Sequence, residues 1–179
     1  MTNVSKSKWL KILIPIVIVC VIGGLWFLKN APNSELEQGV SVSNNNPDFV
    51  LEVTDQLDID QLKSYGLPII IDFGADSCVP CKQMAPVLKA LNEEYQGKVI
   101  IKFVDVWKYQ DLAEGFPISL IPTQIFIGAD GKPFNPENLT AFQLNQYVTK
   151  DTGELVFTTH EGGLTKDDFM KIFEAMGVQ

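Results

Sequence analysis

The chain is 179 residues long, 46% hydrophobic and carries a net charge of −8, which suffices for one domain with a real core and hardly for two. Residues 1–30 hold Lys6, Lys8, Lys11 and Lys29 and no acid, while the other ten lysines face all 22 carboxylates, a balance of −12 for the body. That acidic body, without a single arginine, offers no basic stripe for phosphates and argues against nucleic-acid binding.

The first element is an apolar run, WLKILIPIVIVCVIGGLWFLK, in which Ile12 to Leu28 passes 17 residues without a charge. That is the short end of a membrane-spanning helix and longer than the apolar part of a secretion signal. Trp9 and Trp26 flank it as interfacial anchors do, and three lysines precede it while only Lys29 follows closely. Residues 1–29 therefore predict cytoplasmic lysines and a single-pass anchor through residues 9–28, with the rest of the chain extracytoplasmic. A cleaved signal peptide is the alternative, but no small-residue cleavage motif follows the run. Lipidation of Cys20 is a third reading, disfavoured by the bulky Val19 before it, and a membrane-buried cysteine is the simpler one. Residues 30–47, NAPNSELEQGVSVSNNNP, are polar and turn-rich and predict a flexible tether.

Residues 48–179 are expected to form the globular head. FVLEV (49–53) alternates like a strand, and DIDQLKSYG (58–66) begins with acids and stops at a glycine like a short helix. PIIIDFG (68–74) predicts a buried strand, residues 79–97 a long helix, and VIIKFVDV (99–106) a second buried strand, together a parallel β-α-β unit. A short helix around Asp111 to Gly115 leads to a strand from Thr123 to Ile127 that ends in an Asp130-Gly131 turn. The segment near 134–152 predicts a helical turn from Pro136 and a strand from Phe142 to Val148, with a longer helix through Tyr147 as the rival. A last strand, GELVFTTHEGG (153–163), precedes an amphipathic helix (164–177) capped by Thr165 with Asp168 three positions on. The fold class is α/β.

Two of the three cysteines, Cys78 and Cys81, follow the first buried strand and open the long helix. There Cys78 meets free backbone N–H groups and the positive end of the helix dipole, both of which stabilise a thiolate. Cys78 is the expected nucleophile, and Cys81, one turn along and more buried, the sulfur that resolves the mixed disulfide. A zinc site would need further ligands, and only Cys20 and His160, the single histidine, are left to supply them. Covalent haem would require histidine at position 82, where Lys82 stands. A structural disulfide closing so short a loop would add little stability. A reactive redox pair fits the strand-to-helix context best. Asp72, behind the apolar run Ile69-Ile70-Ile71, is expected to be buried with a raised pKa and to take the Cys81 proton. His160 reads as a surface residue at a strand end.

The stretch DFGADSCVPCKQMAPVLKALNEEYQGKVIIKFVDV, followed by SLIPTQIFI, resembles the thioredoxin superfamily, and within it the membrane-tethered thioredoxins of bacteria. The likeness covers most of residues 66–177 and rests on Asp72, Cys78, Cys81, the helix-bending Pro86 and the dipeptide Ile121-Pro122. It implies a thioredoxin fold, a central mixed sheet flanked by helices, and a cis bond before Pro122. It also implies that Pro122 faces the cysteines, so that the Ile121 backbone is free to hold an extended substrate strand. Ser77 before the pair and Val79-Pro80 within it depart from the Trp and Gly-Pro usual in cytosolic thioredoxins, so Val79 and Pro80 join Ile121 and Pro122 as the expected substrate-contacting residues.

The expected activity is thiol–disulfide exchange on exported proteins, with no cofactor beyond the Cys78–Cys81 disulfide itself. The expected direction is reduction, with electrons from a membrane thiol transporter of the kind that serves similar tethered thioredoxins. The rivals are an oxidase that introduces disulfides and an adaptor that binds peptides without chemistry. The apolar Ile121, the lack of a histidine between the cysteines and the absence of room for a helical domain between Gly97 and Val99 all favour the reductant.

Overall fold

The structure, a computed structural model, describes residues 46–178. The anchor expected through residues 9–28, with Cys20, and the tether as far as residue 45 lie outside the described residues. Among the described residues no helix is long and apolar enough to cross a membrane.

The described strands are β1 (Glu52–Val53), β2 (Ile69–Gly74), β3 (Ile100–Asp105), β4 (Thr123–Ile127), β5 (Asn145–Val148) and β6 (Leu155–Glu161). They form one sheet in the order β1-β3-β2-β4-β6-β5. β2 lies parallel to β3 and antiparallel to β4, so the sheet is mixed. The β-branched run Ile69-Ile70-Ile71 selects a strand, and its burial on both faces puts β2 in the middle. Because side chains alternate, Ile70 joins Ile101 and Phe126 on one face, under α2 (Val79–Glu94) and α3 (Lys166–Ala175). Ile69, Ile71 and Ile125 occupy the other face with Leu62 of α1 (Ile59–Lys63). Helices on both faces of a central sheet give the three-layer α/β architecture that the alternating pattern predicts.

Several boundaries differ from expectation. The predicted strand 49–53 is a 3-10 turn, Pro47–Phe49, followed by the two residues of β1. Asn46 caps that turn, and side chains then claim its carbonyls: Lys102 Nζ donates to the Pro47 and Val50 oxygens at 3.0 and 2.6 Å, and Asn92 Nδ2 to the Phe49 oxygen at 3.1 Å. Carbonyls taken from the side by lysine and amide groups cannot join a strand ladder. The long helix stops at Glu94 rather than Gly97, where a left-handed glycine at φ 75° starts the turn into β3. The helix expected at 111–115 is a 3-10 turn, Gln110–Ala113.

In the segment near 134–152 the strand reading holds against the longer helix. Thr140–Phe142 forms a 3-10 turn, Gln143 takes a left-handed conformation, and β5 then pairs antiparallel with β6 at the sheet edge. The strand begins at Asn145 rather than Phe142, because the left-handed Gln143 breaks any extended run before it.

Candidate active site

The site is assembled where β2 ends. Gly74 closes the strand because nothing larger fits: a Cβ there would meet the Phe103 ring at 2.9 Å, the Cys81 Sγ at 3.3 Å and the Asp72 Oδ2 at 3.4 Å. The chain then turns, and Cys78 becomes the N-cap of α2 with its Sγ 3.4 Å from the Cys81 backbone N–H that it accepts. The free N–H groups and dipole of a sixteen-residue helix thus point at this sulfur. Cys78 and Cys81 are joined in a disulfide with their Cα atoms 5.2 Å apart. Cys78 is 8% exposed and Cys81 4%, the order expected of an attacking and a resolving sulfur.

The loop between β2 and α2 is tied to the end of β3. Asp105 Oδ2 accepts the Asp76 N–H at 3.0 Å, its Oδ1 accepts the N–H groups of Trp107 and Lys108, and Lys108 forms an ion pair with Asp76. Burial pulls the Asp105 carboxyl pKa up, but those three backbone donors outweigh it and hold the group below the usual carboxylate range.

Ile121 and Pro122 reach the cysteines from the start of β4. Their peptide bond is cis, and the Ile121 oxygen lies 3.8 Å from the Cys78 Sγ. The loop is pinned on two sides, by Thr123 Oγ1 donating to the Leu120 oxygen at 2.7 Å and by the Gly162 N–H donating to the Pro122 oxygen at 2.8 Å. Val79 is 66% exposed beside the disulfide, an apolar side chain presented to whatever docks there. Pro80 follows it at the second helical position, where a missing N–H costs nothing, and its carbonyl lies against Gly163.

Behind the disulfide, Asp72 is only 1% exposed. Burial pushes its pKa up from 3.8 to about 7, and a hydrogen bond from Gln124 Nε2 to Oδ1, 2.8 Å, works in the opposite direction. Among the described residues its Oδ2 has no hydrogen-bond partner, and it borders the same small space beside Gly74 as the Cys81 sulfur. A carboxyl that titrates near neutrality, with a free oxygen beside a thiol, is able to accept and return that thiol's proton.

The structure therefore brings Cys78, Cys81, Asp72, Ile121, Pro122, Val79 and Pro80 to one end of the sheet. His160 does not fit its expected place at the surface. It is 6% exposed, with Nδ1 3.2 Å from the Gln143 oxygen, because the turn before β5 folds against it and α3 lines the other side of the same cavity. Sequence reasoning also passed over Gln124, Asp105 and Gly162. Gln124 carried a signal: an amide inside the apolar strand TQIFI needs a buried hydrogen-bond partner. Among the described residues no three His, Cys, Asp or Glu side chains group as a metal site requires.

The chain is similar to known proteins. The family model described as thioredoxin matches residues 49–150. A thioredoxin of Borreliella burgdorferi is 35% identical over 95 residues, which cover 52% of this chain and 81% of that one. Thioredoxin 1 of Chlorobaculum tepidum is 36% identical over 95 residues, covering 52% and 94%. Among solved structures, chloroplastic thioredoxin z is matched at 26% identity and a TM-score of 0.47, over 72% of this chain and 94% of that one.

Proposed function

Since the chain belongs to the thioredoxin family and is a thiol–disulfide oxidoreductase, we propose that it is a membrane-anchored reductase of disulfides in exported proteins. The observation that carries the reading is the Cys78–Cys81 disulfide across the first turn of α2, with Asp72 behind it and the cis Ile121-Pro122 bond in front.

In the reducing direction an extended segment of the substrate pairs with the Ile121 backbone, against Val79 and Pro80, which places its disulfide over Cys78. The Cys78 thiolate, stabilised by the helix terminus, attacks one substrate sulfur. A Cys78–substrate disulfide forms, the substrate's own S–S bond breaks, and the released sulfur leaves as a thiolate that takes a proton from water. Cys81 then gives its proton to Asp72 and attacks Cys78. The second substrate sulfur departs as a thiol, carrying the proton, and the Cys78–Cys81 disulfide remains. Two electrons have passed from the cysteine pair to the substrate. A membrane thiol transporter returns them by the same exchange in reverse.

The direction is supported by three features. From α2 the chain reaches β3 through residues 95–99 alone, which leaves no room there for the helical domain of disulfide-introducing oxidases. Val79 and Pro80 add no histidine to stabilise the Cys78 thiolate, and a less favoured reduced form makes a more reducing couple. Ile121 before the cis-proline is apolar, as in reducing thioredoxins. The test is to equilibrate the protein against glutathione and dithiothreitol buffers and to read the thiol state in cells by alkylation. A potential below roughly −200 mV with the pair largely reduced is expected, whereas one near about −120 mV with the pair mostly oxidised replaces the reductase by an oxidase.

A further inference from the structure

A polar row crosses the buried face of the sheet beneath the disulfide. Asp72 on β2 pairs with Gln124 on β4, and Gln124 with His160 on β6, so the three side chains share one face in register. The Gln124 Nε2 end is surrounded by acceptors: Asp72 Oδ1 at 2.8 Å, the Gly162 oxygen at 3.2 Å and Met84 Sδ at 3.8 Å. Its Oε1 has no partner among the described residues. Turning the amide over would set its oxygen against two oxygens and leave Asp72 without a donor, so the network itself decides which way the group points.

We propose that Gln124 is a positioning residue for the resolving half of the reaction: by holding Asp72 Oδ1 it leaves Oδ2 to face Cys81 as the proton acceptor. The inference rests on the thiol–disulfide chemistry proposed above. Gln124 bonds neither cysteine sulfur, and it acts through Asp72. Its second N–H is equally committed, because the Gly162 oxygen that accepts it belongs to the residue whose own N–H holds the Pro122 oxygen. One amide thus fastens the proton acceptor and, through one glycine, the loop that receives substrate. Among the described residues Gln124 is the donor that reaches Asp72. On β3 its neighbour is the Phe103 ring, with Asp105 two pairs further along opposite Gly74. The buried residues of α2 are Cys81, Met84, Leu88, Leu91 and Asn92, so Cys81 is the titratable group facing Asp72 from that helix. From β6 comes His160, on the far side of Gln124, and from α3 come Asp168 and Lys171, which line a cavity together with His160. Among the described residues no cation lies against the carboxylate, and the Gln124 N–H is the group that favours its ionised form.

The experiment uses the full-length oxidised protein in detergent micelles, with the Asp72 carboxyl carbon and the Gln124 side-chain amide followed by NMR as pH is varied. In the wild type both signals should move with one midpoint, and the amide response should vanish in Asp72→Asn. An amide that ignores the Asp72 titration overturns the proposal without any variant at position 124. Gln124→Met keeps the length and removes the donors. In it the Asp72 midpoint should rise by about one pH unit, the value of a hydrogen bond to a charged group. For an acceptor titrating near 7, that shift leaves about fivefold less ionised carboxylate at pH 7. Stopped-flow resolution of a mixed disulfide on Cys78 should slow by the same factor and recover at higher pH, while the first attack by Cys78 keeps its rate. A Gln124→Met protein that is merely less stable, with Asp72 titration and the pH profile of resolution unchanged, overturns it. If wild-type protein fails to reduce insulin while the two signals still titrate together, the reductase reading falls and the Gln124–Asp72 coupling stands. If insulin is reduced and Gln124→Met changes neither midpoint nor profile, the reverse holds.

Discussion

Asp72 is a carboxyl placed where water barely reaches it, and the cost of that placement depends on pH. Its pKa rises on folding from 3.8 to about 7, chiefly because burial penalises the charge. A raised folded-state value means that the stability this group contributes is complete below about pH 4 and is lost as pH climbs through about 7. Asp72→Asn keeps an acceptor for Gln124 and removes the titration. The variant should therefore be more stable than the wild type at pH 8, by at most about 4 kcal/mol, with the difference fading to nothing below about pH 4. Urea denaturation across pH 4 to 8 checks this, and a gain that does not change with pH would assign it to something other than the charge. The same burial that weakens the fold at alkaline pH supplies the proton acceptor that Cys81 needs, so stability and turnover should move in opposite directions in this variant.

At the scale of elements, the two long helices carry different burdens. α2 presents its N-terminus to the disulfide and includes Pro86, which has no N–H to give the turn before it. α3 is a structural lid: Phe169, Ile172 and Phe173 pack on Leu88, Leu91 and Phe126, away from the sulfurs. Its start is closed by a reciprocal cap in which Thr165 Oγ1 accepts the Asp168 N–H at 3.3 Å and Asp168 Oδ2 accepts the Thr165 N–H at 3.1 Å. Thr165→Ala should cost about 1 kcal/mol, read as a lower denaturation midpoint, with the Cys78–Cys81 potential unchanged. A shifted potential would show that α3 communicates with the site, through the Gly162-Gly163 bend that joins β6 to it.

For the whole molecule, the division of charge is the main guide to where it works. Ten lysines against 22 carboxylates leave the body acidic, and four lysines with no acid mark the first thirty residues. Positive charge flanking an apolar run resists translocation. In intact cells or spheroplasts, external protease should therefore remove the domain and leave the lysine-rich end protected. Protection of the domain while the tether is intact would reverse the orientation and would remove exported proteins from the list of substrates.

Much of the site was legible in local sequence. Cys78 and Cys81 follow a buried strand and open a helix, Asp72 lies in that strand, and Ile121-Pro122 begins another, each a matter of neighbours within a few residues. The elements of the central layer were legible for the same reason: an apolar run such as Ile69-Ile70-Ile71 announces a buried strand, and Thr165 with Asp168 announces a cap. What only the tertiary structure decided are the pairings between distant segments. Phe49 and Val50 became part of a turn and its exit because Asn92 and Lys102, more than forty residues on, claim the carbonyls of Phe49 and Val50. His160 went inside because α3 and the turn before β5 close over it. Gln124 found Asp72 through the register of β2 against β4. Periodicity reports which face of an element is apolar, but a hydrogen bond across the sheet depends on which residue of one strand stands opposite which residue of another, and that is settled only when the strands pack.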